Sequence, residues 1–354
     1  MGGGPVGMAA AIGARLAGLR VSVLEPRHDP IDKACGEGLM PGALAELERL
    51  AVRPHGHPIA GICYRDSSHT AEHRFAGGPG RGVRRTELSR SLHERAGELG
   101  VQTLDGRVSG LVQDARGVST TIDRGAEIRS RWVIGCDGLH STVRRLAGLD
   151  STTQGRGPQA GRRYGLRRHY RLAPWSDLVE VFWSDGYEVY VTPVDDELVG
   201  VAVLGPRGLS VEAAIAGVPA LAARLAGALP DGSVAGAGPL RQRVWAHGSG
   251  RVLLAGDAAG YLDALTGEGM RIGFAQAAAA VRVIAGAPDG ATDLRIGPRA
   301  AADYERQWRR ASGTANRFTG ALLAASRSPL RRAIVPVAER FPVVFRTAVE
   351  VIAR

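Results

Sequence analysis

The sequence contains a single lysine, Lys33; every other strong base is arginine, and the net charge is +10 over 354 residues. The arginines are scattered, and no basic stripe interleaved with aromatics appears, so the charge does not read as a nucleic-acid surface. With alanine and glycine abundant, this is the composition that a GC-rich coding sequence produces. Cysteine is scarce: Cys35, Cys63 and Cys136 are odd in number and lack metal-ligand spacing, so reduced thiols in a cytoplasm are expected and a disulfide framework or metal site is not. No run of 18 apolar residues and no signal peptide is present. The chain is expected to be soluble, or at most to lie on a membrane surface. No internal repeat appears, and the length suggests two domains.

What the sequence does have is glycine, and the first 27 residues use it in a pattern. Gly2, Gly4 and Gly7 fit G-x-G-x-x-G, a small-residue helix pattern runs to Ala17, and Gly18 stops it. Arg20 to Leu24 reads as a strand with Glu25 at its end. In such a unit Gly2 makes the tight turn, Gly4 admits a pyrophosphate and Gly7 lets the helix pack close. The helix N-terminus faces the phosphates, and an acid roughly 20 residues on takes a ribose hydroxyl pair. This order predicts a dinucleotide site. The motif should follow a buried strand, yet only Met1 precedes Gly2. The first strand of the sheet is therefore expected to be missing, with codons upstream of Met1 encoding about five to ten more residues rich in Val and Ile.

Along the chain, a helix is expected from about Gly42 to Leu50, strands between Ile59 and Phe75, and a plain loop at Gly77 to Gly82. Thr86 to Leu99 reads as a helix with Leu88, Leu92, Ala96 and Leu99 on one face. Arg107 to Arg131 reads as a hairpin turning at Asp114 to Gly117, and Arg131 to Cys136 as a short buried strand. The period-2 valines between Arg163 and Leu204 predict an antiparallel sheet. Gly208 to Ala228 reads as helical, Gln242 to Ala255 as strand, and the remainder as helix interrupted by Pro329, Pro336 and Pro342.

Two further segments carry chemistry. In Trp132 to Arg145 a strand ends in Asp137-Gly138 and turns through Ser141 and Arg144; the turn fits either a helix cap or a ligand contact. In Val252 to Gly286 an apolar strand delivers Asp257 at its carboxyl end, and Gly267-Glu268-Gly269 precede an Ala-rich helix. An acid there suits polyol hydroxyls, and the helix N-terminus suits a heterocycle that becomes anionic on reduction.

In this order the three segments resemble the flavin-dependent monooxygenases of the para-hydroxybenzoate hydroxylase type and the related geranylgeranyl reductases, over nearly the whole chain. The resemblance implies FAD. Gly2, Gly4 and Gly7 would meet its pyrophosphate, Glu25 the adenosine ribose, Arg85 the flavin and Asp257 the ribityl chain. Val108, Gly267, Gly269 and Met270 would adjoin it, and Asp137-Gly138 would contact both FAD and a transient NAD(P)H reductant. It also implies oxygen transfer through a C4a-hydroperoxyflavin to an electron-rich ring.

The loop Cys35 to Pro41 reads as flavin-facing, with Cys35 either a small buried hydrophobe or a participant, and with Cys35, Glu37 and Tyr190 as catalytic candidates. Tyr187 and His169 are further pocket candidates. Where geranylgeranyl reductases show Y-x-W-x-F-P, this chain has Glu188, Tyr190 and Thr192 before Pro193; the halogenase W-x-W-x-I-P and catalytic lysine are not visible either. Ser328 to Ile352 reads as a core-covering cap, with a membrane-surface face as the alternative.

The expected fold is α/β: a doubly wound FAD-binding sheet without its first strand (1–50, 82–153 and 246–290), an inserted, mainly antiparallel substrate domain (51–81 and 154–245) and a C-terminal helical region (291–354). The expected function is hydroxylation of an aromatic or polyketide-like small molecule. The alternatives are an isoprenoid double-bond reductase and a degenerate flavoprotein without turnover. The expected partner is a small molecule, with no nucleic acid and no metal; the oligomeric state is left open.

Overall fold

The structure, a computed structural model, describes residues 1–27, 30–151, 162–288 and 295–354. The boundary expected between residues 153 and 154 and the start of the region expected from residue 291 lie outside the described residues.

The period-2 valines build a seven-stranded sheet in the order Leu229–Ala237, Tyr164–Arg171, Leu198–Gly205, Tyr187–Asp195, Leu178–Ser184, Gly61–Arg65, Thr70–Arg74. All its pairings are antiparallel except that between Leu178–Ser184 and Gly61–Arg65. Because alternate side chains leave opposite faces, the central strands bury both. Val189, Val191, Val199, Val201 and Val203 meet the helices Val211–Ala216 and Pro219–Arg224. Ile62, Tyr64, Val179, Val181, Tyr190, Ala202 and Leu204 belong to the other face.

Several elements differ from the sequence expectation, two of them in and beside the large sheet. Leu229–Ala237 is an additional strand; Pro230, Gly232 and mostly exposed side chains hide any alternation, and its edge position tolerates them. Gly80–Gly82, expected as loop, is a strand between Gly38–Leu39 and His57–Ile59. A Cβ at Gly82 would stand 1.7 Å from the Pro193 carbonyl oxygen, so glycine is required for this small sheet to reach the large one.

In the part that holds the glycine motif, Ser22–Leu24 pairs in parallel with Gln102–Leu104, and Val133–Gly135 with Val252–Leu254. Met1 and Gly2 lie between the two pairs. Gly2 N donates to Leu24 O (2.8 Å), the Met1 ammonium to Ile134 O (2.9 Å), and Cys136 N to Met1 O (2.7 Å). Helix Pro5–Leu16 packs against helices Arg85–Glu98 and Gly269–Ala285. The expected hairpin is present as Val108–Gln113 and Val118–Ile122, with Glu127–Ser130 added as a third strand.

The 31-residue helix Ile296–Ser326 is followed by Ile334–Arg340 and Pro342–Ala353. The last two bury Val335, Ala338, Phe345, Val349 and Ile352 against the large sheet, and leave Val337, Val343 and Val344 exposed, as are Leu330 before them and Phe341 between them. Among the described residues no helix is long and apolar enough to cross a membrane.

Candidate functional site

One cavity of about 710 Å³ runs from the glycine turn to the open face of the large sheet. At the first end, helix Pro5–Leu16 starts from an extended Gly4 with no side-chain cap and no acidic residue in its first turn. Its positive end opens beside Gly2, Gly4 and Val6, all of which line the cavity. Gly7 sits behind them: a Cβ there would stand 1.8 Å from the Gly2 carbonyl oxygen, so turn and helix are in direct contact.

Glu25 follows the strand Ser22–Leu24, whose Val23 and Leu24 are buried, and is itself buried. Its Oε2 accepts from Gly3 N (2.7 Å) and Arg27 Nη2 (3.0 Å), and its Oε1 from Arg27 Nε (2.7 Å). Burial alone would raise the pKa, but the Arg27 and Gly3 hydrogen bonds outweigh it and leave the carboxyl below its ordinary value. An ionised acid therefore lines the cavity beside the glycine turn.

Arg85 begins helix Arg85–Glu98 and is 7 % exposed. Its Nη1 reaches only the Met270 sulfur (3.8 Å), and its Nε has no partner among the described residues. A Cβ on Gly4 would stand 3.9 Å from Nη2. Burial lowers its pKa, while the nearby Cys35, Asp257 and Glu37 pull the other way. A buried guanidinium with open donors, next to a glycine turn and an uncapped helix start, fits a diphosphate.

The fully buried strand Val252–Leu254 leads into the turn Gly256–Ala259, which presents Asp257 to the cavity. Its Oδ2 accepts from Lys33 Nζ at 3.0 Å. Lys33 lines the cavity too. Sequence reasoning noted it only as the lone lysine, and that singularity was the signal available. Val108, Gly267, Gly269 and Met270 line the same space, beside the start of helix Gly269–Ala285.

Asp137 combines both readings of its turn. Its residue lines the cavity, but its carboxylate accepts from Ser141 Oγ (2.5 Å), Thr142 N (2.7 Å) and Val143 N (3.0 Å), capping helix Thr142–Leu146. Gly138 is left facing the cavity. The buried Arg144 donates to Leu139 O (2.9 Å) and Ala258 O (3.1 Å), tying the Asp-Gly turn to the Asp257 turn.

Of the catalytic candidates, Cys35 lines the cavity, and its sulfur accepts from Glu37 N at 3.4 Å. Glu37 has a left-handed backbone (φ 60°), and both its oxygens are taken. Oε1 accepts from Arg85 N (2.8 Å) and Oε2 meets His169 Nε2 (2.6 Å). Arg167 Nη1 lies 3.2 Å from His169 Nδ1; a guanidinium only donates, so Nδ1 accepts and Nε2 carries the proton given to Glu37. Arg167 also pairs with Asp32. The arrangement suits a latch between the Cys35 loop and the sheet more than a proton carrier, and it accommodates a backbone that costs about 1–3 kcal/mol. His169 thus serves the latch and is not among the lining residues. Tyr190 lines the cavity, but its hydroxyl donates to Leu265 O (2.8 Å), and burial holds its pKa well above the ordinary phenol value. Tyr187 packs on the sheet's far face, its hydroxyl on Ala214 O.

A family model described as FAD binding domain matches residues 1–162. Over 316 residues the chain is 30% identical to the 12-dehydrotetracycline 5-monooxygenase/anhydrotetracycline 6-monooxygenase of Streptomyces rimosus subsp. rimosus, covering 78% of this chain and 60% of that one. Over 162 residues it is 33% identical to the rifampicin monooxygenase of Streptomyces venezuelae, covering 42% of this chain and 33% of that one. The chain thus spans between a third and three fifths of the length of these relatives. In fold it is similar to the flavin-dependent brominase Bmp2, with a TM-score of 0.73 at 20% identity over 99% of this chain and 96% of that one.

Proposed function

Proceeding from the match of residues 1–162 to the family model described as FAD binding domain, we propose that the protein is an FAD-dependent, NAD(P)H-consuming monooxygenase that hydroxylates an aromatic or polyketide-like small molecule. The observation that carries this reading is a cavity that joins a charged end, around the glycine turn, to an apolar end on the large sheet. In this reading the start of helix Pro5–Leu16 and Arg85 hold the pyrophosphate, Glu25 the ribose and Asp257 the ribityl chain. Residues 1–50, 82–153 and 246–290 serve the cofactor, and 51–81 with 154–245 the substrate. Gly138 leaves the Asp-Gly turn open for a passing nicotinamide.

When bound, FAD supplies the two-electron redox chemistry and the activation of O₂. The chain's own part is to bind, orient and exclude water. The face carrying Val179, Val181, Ala202 and Leu204 lines the far end of the cavity and keeps it dry. The Glu37–His169 bond fixes the Cys35 loop against this face. Relatives named for rifampicin and anhydrotetracycline support a multi-ring substrate.

The test is aerobic NADH or NADPH oxidation by the FAD-loaded protein with phenolic compounds, followed by mass spectrometry of the product made under ¹⁸O₂. Incorporation of one labelled oxygen is expected. A second reading, saturation of an isoprenoid double bond, is favoured by Cys35 in the cavity; it would appear as anaerobic product with no label. Flavin retained through purification without turnover on either class would indicate a degenerate flavoprotein.

A further inference from the structure

The charged side chains lining the cavity are unevenly distributed. Each of them, Glu25, Arg27, Lys33, Glu37, Arg85, Arg107, Asp137 and Asp257 among them, comes from the segments assigned to the cofactor. The large sheet contributes none; its lining side chains are of the kind of Ile62, Val179, Val181, Ala202 and Leu204. Glu188 belongs to the strand that carries Tyr190 and Thr192 and lies an even number of residues from both, hence on their face. It is withdrawn into ion pairs with Arg163 and Arg331 and does not line the cavity.

The sheet's polar groups narrow the choice further. The Tyr190 hydroxyl donates to Leu265 O and the Thr192 hydroxyl to Gly36 O (2.8 Å each). Tyr64 is different. It lines the cavity and is 7 % exposed, and among the described residues its hydroxyl has no hydrogen-bond partner. Its ring is wedged between Trp183 (5.3 Å, tilted 59°) and Phe345 (5.0 Å, tilted 57°), so the hydroxyl's position is set by packing. Burial, with the Glu188 carboxylate nearby, keeps it a protonated phenol, a donor over the whole working pH range.

We propose that the substrate is an uncharged, largely apolar ring compound that offers one acceptor oxygen to Tyr64, which is the specificity-determining residue of the sheet. This rests on the reading of the other end as the cofactor's. A carboxylate brought to the sheet would lose its water and find no cation there. A neutral carbonyl, ether or hydroxyl oxygen would satisfy the cavity-lining hydroxyl of the large sheet that has no partner among the described residues, and sites built this way reject analogues lacking the partner.

The experiment uses the full chain saturated with FAD and reads the change in flavin absorbance on titration with three naphthalene probes. Methyl 2-naphthoate is neutral with an acceptor, 2-naphthoate is anionic, and 2-ethylnaphthalene has no oxygen. The ester is expected to bind at least about tenfold tighter than the carboxylate. Tyr64→Phe should weaken the ester about fivefold or more while leaving 2-ethylnaphthalene and FAD affinity unchanged. Equal or tighter binding of the carboxylate, failure of all three probes, or an unchanged ester in Tyr64→Phe would overturn the proposal. So would a loss confined to FAD affinity, which would give Tyr64 to the cofactor. The wild-type comparison needs no variant. Because it reads binding and not turnover, it separates this proposal from the monooxygenase reading: probe selectivity without oxygen transfer would sink only the latter, and absence of FAD binding would sink both.

Discussion

In the proposed reading Asp257 and Glu25 each hold hydroxyl groups of the cofactor. Each is an acid at the end of a strand with a basic partner in place, Lys33 at 3.0 Å and Arg27 at 2.7 Å. Charge-assisted hydrogen bonds contribute about 1.5–3 kcal/mol. Asp257→Ala is therefore expected to weaken FAD about tenfold or more, and fluorescence titration yielding an unchanged affinity would remove the residue from the site. The cysteines give a second prediction. Burial pushes the Cys63 thiol up to about 11 and the Cys136 thiol up to about 12, so at pH 8 less than about one in a hundred of either is the reactive thiolate. Both should alkylate slowly, and faster as pH rises, whereas the partly exposed Cys35 should react first and be shielded by FAD. Three equal rates in peptide mapping would contradict the placement. At this scale the sequence made the acids legible, because a carboxylate at a strand's end has few structural uses. It did not show Lys33 against Asp257, the Glu37–His169 latch or the open Tyr64 hydroxyl. Those pairs are separated by tens to hundreds of residues and exist only once the sheet is formed.

Among the elements, the glycine turn with its helix is tightly constrained. Gly7→Ala would bring a methyl group 1.8 Å from the Gly2 carbonyl oxygen, with backbone on both sides to resist. Such overpacking costs roughly 1–3 kcal/mol. We expect a lower melting temperature together with a lower flavin-to-protein absorbance ratio. Full occupancy and an unchanged melt would mean that the turn can open and does not grip the phosphates. Helices with a regular apolar face were legible to within a residue or two: Arg85–Glu98 matches the stripe Leu88, Leu92 and Ala96. Leu229–Ala237 and Gly80–Gly82 were not, for opposite reasons. The first is an edge whose side chains face water and need no pattern, while the second is all glycine and arginine, held by backbone pairing alone.

For the whole molecule, the division of labour is electrostatic. One end of the cavity gathers the charge, the other excludes it, and the C-terminal helix reaches the second end through Ile352, with Phe345 packed on the Tyr64 ring. The α/β class and the antiparallel sheet were readable from period-2 valines and the glycine motif; that they share one cavity was not, since no local pattern records which sheet face turns inward. In the proposed reading the charged end of this cavity holds the whole of FAD, adenosine included, and leaves the apolar end to the substrate. This central claim is tested most directly by titrating the protein with FAD and with FMN, which lacks the adenosine and one phosphate. We predict one FAD per chain, with FMN at least about a hundredfold weaker because the Glu25 contacts and part of the phosphate contacts are lost. FMN binding as tightly as FAD, or no saturable FAD binding, would contradict it.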